Sequence, residues 1–211
     1  KYLENIGVVT RGYVSQIGNI KADKINLDSP KTNKYFFADE TKLDDLNGMF
    51  SELISEGNSV GAKLGVSVKN CPIGLGEPVF DKLDADLAKA IMSINAVKSV
   101  SIGNAEDILS LKGSEIRDEI RKTGFSTNNA GGILGGISNE DEINLDFLIK
   151  PTSSIKASGK TLDAKGNEVD IKVSGRHDPC VGIRAVPIAE AMINLVIVDH
   201  LLRNRAQCGE I

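Results

Sequence analysis

The chain has 211 residues, enough for one large domain or two small ones with an ample core. Hydrophobic residues make up 41% and charged residues 26%, the balance of an ordinary soluble globular protein. A net charge of −4, with 4% aromatics and no Trp, excludes a basic base-stacking surface for nucleic acid and a basic face for anionic membranes.

The opening KYLENIG carries neither Met nor a signal-peptide pattern and passes straight into strand-like sequence, so the chain reads as lacking its natural beginning. Residues 6–20, β-branched and partly alternating, predict one long strand. Asn26, Asp28 and Pro30 mark a loop. From Asp39 to Glu56, Leu43, Leu46, Met49, Phe50, Leu53 and Ile54 fall at helical spacing, and Gly57 is placed to end the helix. Ser59 to Lys69 returns to strand character, with Gly61 and Gly65 marking close backbone approach. After a loop rich in Gly and Pro at 71–80, residues 81–93 predict a helix whose Asp81, Asp84 and Asp86 suit its positive end. A strand over 96–102, a short amphipathic helix over 114–122 and a four-glycine run within 128–138 come next. A strand over 143–150 and a hairpin over 155–173, turning at 164–167, follow. The last element, 186–203, is apolar on every side. Glu190, Asn194, Asp199 and His200 interrupt it, which predicts a core helix covered on both sides rather than a membrane span. Hairpin-like strand pairs alternate with helices that need two covers, so the fold class is α/β (α+β), layered, with antiparallel sheets.

Chemistry concentrates at 175–192, GRHDPCVGIRAVPIAEAM. Arg176 and Arg184 are fixed cations suited to carboxylate or phosphate, Asp178 is a candidate base, and His177 adds an imidazole. Pro179 sends the Asp178 carboxylate off a stiff, extended bend. The bland alternative is a strand-to-helix turn with solvated charges. Lys150-Pro151-Thr152-Ser153-Ser154, following an apolar strand, offers a point charge, hydroxyls and backbone N–H groups that can turn inward around phosphate. A hydroxyl-rich turn satisfying its own backbone explains that run equally well. Ser158-Gly159-Lys160-Thr161 imitates the end of a P-loop, but Ser154 stands where the motif needs Gly, which excludes an NTPase. The glycines at 131–136 lack G-x-G-x-x-G spacing and read mostly as tight strand packing. Asn95-Ala96 would pass as a helix cap, His200 as a satisfied core histidine, and Cys180 as a buried small hydrophobe. Cys71, Cys180 and Cys208 are an odd number without paired spacing, which fits a reducing cytoplasm and no disulfide framework. His177 and Cys180 alone do not build a metal site, so no metal is expected.

The 175–192 run, with KPTSSI at 150–155 and NAVKSVSIG at 95–103, resembles chorismate synthases over nearly the whole chain. The resemblance implies a layered sandwich of antiparallel sheets around buried central helices, assembled as a homotetramer. It also implies a cytoplasmic lyase of aromatic amino acid biosynthesis. Such an enzyme converts 5-enolpyruvylshikimate 3-phosphate to chorismate by 1,4-anti elimination of phosphate. Reduced FMN is the implied cofactor, with its reduction by NADPH or by another enzyme left open. By resemblance, Asn95, Ala96, Gly135, Lys150, Pro151, Thr152, Ser153, Ser154 and Arg176 contact the flavin. Arg176 also stands beside the substrate, Asp178 helps remove its proton, and Arg184 binds it.

The chain departs from the family pattern in one respect. The family's first segment carries a G-E-S-H-type motif, a second histidine, an S-x-R-containing motif and arginines linked to NADPH, and none is present here. Residues 1–211 are therefore expected to be a single domain equivalent to the C-terminal part of the family's chain, inactive alone and poorly folded where a buried helix loses a cover. A non-catalytic flavin- or phosphate-binding module, or a degenerate paralogue, is the alternative.

Overall fold

Alternation of apolar and polar residues in the strand-like runs resolves into one large sheet, with helices laid on one face. The computed structural model describes every residue except Glu106, Arg176, Glu210 and Ile211. A helical turn, α1 (Tyr2–Asn5), leads into β1 (Val9–Ile17), which folds back onto β2 (Ile20–Lys21). Residues 6–20 are thus a hairpin rather than one strand. Gly18 takes φ +55, which lets Ile17 pair with Ile20 across two residues.

Two 3-10 turns, Ser29–Lys31 and Glu40–Lys42, bracket the loop before α2 (Leu43–Glu56), and Gly57 ends that helix at φ +66. Next come β3 (Ala62–Lys69), α3 (Leu83–Met92) and β4 (Val97–Ile102). Of the helix expected over 114–122, only α4 (Gly113–Ile116) forms. Asp118 accepts the backbone N–H groups of Asn129 and Ala130 at 2.8 Å, which draws the chain out of the helix. Beyond it β5 (Ile120–Arg121) pairs with β6 (Gly124–Phe125). The remaining elements are the hairpin β7 (Ile133–Leu134) and β8 (Ile137–Ser138), β9 (Ile143–Ile149), the exposed hairpin β10 (Gly159–Leu162) and β11 (Glu168–Ile171), and α5 (Gly182–Cys208). The helix α5 starts ahead of the expected Val186 and takes Arg184 into its first turn.

The main sheet runs β2-β1-β3-β9-β4, antiparallel throughout. Ala62, Leu64, Val66 and Val68 pair with Ile149, Phe147, Leu145 and Ile143 on one face, and all eight are buried. Leu83, Leu87 and Ile91 of α3 and Ala185, Ala189, Ile193, Ile197 and Leu201 of α5 pack on that face at helical spacing. Each fully buried Leu or Ile contributes roughly 1.5–3 kcal/mol. Two glycines set the approach. A Cβ at Gly12 would stand 2.9 Å from Val186 Cγ1, and one at Gly182 would stand 2.6 Å from Ala62 Cβ. Between the helices, buried His200 places Nε2 3.1 Å from Asp86 Oδ2, so it is a satisfied core histidine.

The outer side of the α3–α5 layer leaves Met92, Ile188, Leu195 and Leu202 exposed. The second cover expected for α5 is not formed among the described residues. The opposite face of the sheet is polar. There the Tyr13 ring lies over Gly65, Lys63 pairs with Asp146 at 3.2 Å, and Ser67 donates to Glu142.

Candidate functional site

Sheet register brings four separate segments to one place. Ala62 at the start of β3, Ile149 at the end of β9 and Val97 at the start of β4 are paired neighbours. The residues flanking them, 59–61, 150–154 and 95–96, therefore gather at one end of the sheet. Gly182 seats the first turn of α5 against Ala62, which brings 178–184 to the same end.

Backbone and hydroxyl contacts fasten these segments together. Lys150 donates its N–H to the Ala96 carbonyl at 3.0 Å, Val60 donates to Pro179 at 2.8 Å, and the Ser59 hydroxyl donates to the Thr152 carbonyl at 2.6 Å. Ala96 takes φ +70, an unusual conformation for a residue with a side chain, and turns the chain from α3 into β4 there. At Gly61 a Cβ would stand 2.7 Å from the Ile149 carbonyl oxygen, so glycine admits the 149–151 turn.

Two cavities flank the entry to α5. One of about 410 Å³ is lined by Asn95, Arg184, Ile188 and Met192 among others. The other, about 420 Å³, is lined by Ile54, Asn58, Lys156, His177 and Asp178 among others. Arg184 and Asp178 join across the entry, with Nη1 2.8 Å from Oδ2. Lys150, Pro151, Ser153 and Ser154 are exposed and Thr152 is half-buried, and Lys150 has no ion-pair partner among the described residues. The arrangement offers two cations for oxyanions, hydroxyl donors, one carboxylate and apolar walls.

Of the predicted residues, Asn95, Ala96, Lys150, Pro151, Thr152, Ser153, Ser154, Asp178 and Arg184 come together. Arg176 lies outside the described residues. Gly135 stands apart from this group. It turns the β7–β8 hairpin, whose Gly136 carbonyl accepts from Leu83 N at 2.8 Å, at the opposite end of α3 from Asn95. Half-buried His177 lines the larger cavity, and its Nε2 has no hydrogen-bond partner among the described residues. Cys180 is buried, and burial pushes its thiol up despite the N–H groups of Gly182 and Ile183 beside it, which leaves it unreactive.

Sequence reasoning passed over Ser59, Lys156, Ile188 and Met192. Ile188 and Met192 follow Arg184 at four-residue steps, a signal that was readable once the helix was known to begin at Gly182. Ser59 and Lys156 carry no such signal.

A protein-family model described as "Chorismate synthase" matches residues 1–202. A solved structure titled "Crystal Structure of Chorismate Synthase" superposes with a TM-score of 0.79 at 24% identity, over 96% of this chain and 60% of that one. The chain thus spans about 60% of the length of that relative, and at this identity the likeness shows the fold alone.

Proposed function

The chain belongs to the chorismate synthase family, and on that premise we propose that it serves a lyase reaction of aromatic amino acid biosynthesis. The reaction is 1,4-anti elimination of phosphate from 5-enolpyruvylshikimate 3-phosphate to give chorismate, with reduced FMN at the site. The observation that carries this reading is the gathering of 95–96, 150–154 and 178–184 at one end of the sheet, beside two cavities.

The residues present fit the flavin's phosphate. Exposed Lys150 with the hydroxyls of Ser153 and Ser154 is the donor chemistry that a phosphate asks for. Asn95 supplies an amide, and the Ala96 turn brings its backbone close to Lys150. Reduced flavin, when bound, supplies a transient electron to the substrate. Arg184 holds an oxyanion of the substrate, and Asp178 helps remove the substrate's proton. Arg176 stands, in this reading, beside both flavin and substrate. NADPH or another enzyme reduces the flavin, the working assembly is a homotetramer, and the compartment is the cytoplasm. Although α5 is long and apolar enough to cross a membrane, it lies against the sheet as a core helix.

Residues 1–211 act in this reading as one domain, the C-terminal part of a chorismate synthase site. One observation favours inactivity of the chain alone. Of its two histidines, His200 is buried against Asp86, so His177 is the single imidazole near the site. Anaerobic calorimetric titration with reduced FMN, followed by substrate, tests the reading. The chain should bind the flavin, with Lys150→Ala weakening binding about tenfold, and form no chorismate. Absence of flavin binding would overturn the site assignment. Formation of chorismate would overturn the need for further proton donors.

A further inference from the structure

We propose that Asp178 is the resident counter-ion of Arg184, holding the guanidinium until an oxyanion on the ligand displaces it, and that this displacement frees the Asp178 carboxylate. The inference rests on the reading of Arg184 as an anion-binding residue. The two groups meet at 2.8 Å around the first turn of α5. Arg184 lines the cavity that holds Asn95, Ile188 and Met192, whereas Asp178 lines the one on the other side. Their ion pair therefore stands between the two cavities.

A guanidinium presents its N–H donors as a planar fork, and phosphate or carboxylate seeks the same cation that Asp178 now faces through one oxygen. The side chains keep 68% and 35% of their exposure, so water and a dissolved anion reach the pair. An exposed pair of this kind is weak enough to exchange partners. While Oδ2 is paired with Arg184, that oxygen is engaged; once an incoming oxyanion takes the guanidinium, it is free. The step is an exchange of ion pairs, with no covalent bond made or broken. Its consequence is order: the Oδ2 atom becomes available only after the anionic end of the ligand has seated.

Inorganic phosphate is the probe, titrated at constant ionic strength into the ¹⁵N-labelled chain. The readouts are the Arg184 Nε–H resonance, identified by its loss in Arg184→Lys, and the Asp178 backbone amide. Phosphate should move both signals together. Asp178→Asn should tighten phosphate binding about threefold to fivefold, while Asp170→Asn, a carboxylate on the exposed β10–β11 hairpin, should leave it unchanged. Asp178→Ser replaces the Asn variant if that one fails to fold. Acetate in parallel separates carboxylate from phosphate preference, and exchange by either supports the proposal. Equal affinity in wild type and Asp178→Asn overturns the exchange but leaves Arg184 as an anion site. If no anion moves Arg184 in any variant, the anion-site reading and the exchange fall together.

Discussion

Lys150 donates its backbone N–H to the carbonyl of Ala96 at 3.0 Å, which ties the exit of β9 to the turn that enters β4. The bond fixes two candidate flavin-contacting segments relative to each other, and it depends on Ala96 holding φ +70. A residue with a Cβ pays roughly 1–2 kcal/mol in that conformation, and glycine escapes most of it at some cost in unfolded-state entropy.

Ala96→Gly should therefore stabilise the chain by about 0.5 kcal/mol, and Ala96→Val should destabilise it by about 1 kcal/mol or more. Urea denaturation measures both. A glycine variant less stable than wild type would show that the left-handed conformation is not maintained in solution.

The contact between Gly12 and Val186 yields a second test. A methyl at Gly12 would lie 2.9 Å from Val186 Cγ1 and 3.1 Å from Glu190 Cγ, so α5 has to lift from β1. Lifting also strains the bond from Gly12 N to Glu190 Oε1, now 2.6 Å. Gly12→Ala should cost about 1–3 kcal/mol. Combined with Val186→Ala, which removes the colliding methyl, the loss should be smaller than the sum of the single losses by about 1 kcal/mol. Additive losses in the double mutant would place the collision elsewhere.

Much of this scaffold was legible in the sequence, for physical reasons that single residues show. Leu64, Val66 and Val68 alternate with Lys63, Gly65 and Ser67, so β3 could be read as a strand with one buried face. Leu83, Leu87 and Ile91 repeat at four-residue spacing, which made α3 legible too. The span 114–122 misled because Glu115, Arg117, Asp118, Glu119 and Arg121 place charges at intervals that suit a helix or a hairpin. The hairpin formed because the Asp118 carboxylate finds backbone donors at 129 and 130. The start of α5 was hidden by Pro187, which sits inside the helix after its first turn. For the site, residue types and motifs were readable, but their meeting point was not. The Ser59–Thr152 bond arises from strand register, and the Arg184–Asp178 pair from the way 178–184 turns into α5, neither of which the residue pattern encodes. The place of Gly135 at the far end of α3 follows from the β7–β8 hairpin in the same way.

Tyr13 supplies a pH test on the polar face of the sheet. Burial first, then the carboxylates of Asp146 and Glu142, push its phenol up to about 12. The unfolded phenol titrates near 10. Because the native value is raised, the stabilisation is whole below pH 10 and is lost as pH rises through 12. Between pH 9 and pH 11 the wild type should lose about 1.3 kcal/mol more stability than Tyr13→Phe. Parallel urea denaturation of the two proteins measures the difference. Equal losses would mean that Tyr13 is not shielded as the structure shows.

Two apolar residues of α5 two positions apart test the single-sided cover of the helices. Ile193 is 0% exposed against the sheet, whereas Leu195 is 67% exposed on the outer side beside Met192 and Ile188. Ile193→Ala should cost about 2–5 kcal/mol, the loss of a packed side chain plus the cavity left behind. Leu195→Glu should change stability by no more than about 0.5 kcal/mol, because the side chain has few neighbours to lose. Its effect should be on the surface instead. A charge in the middle of an exposed apolar stripe lowers the affinity for apolar probes and opposes self-association. Dye binding with anilinonaphthalene sulfonate and light scattering after size exclusion read both. If Leu195→Glu destabilises the chain as much as Ile193→Ala does, the outer side of α5 is covered in solution and the single-layer arrangement is wrong.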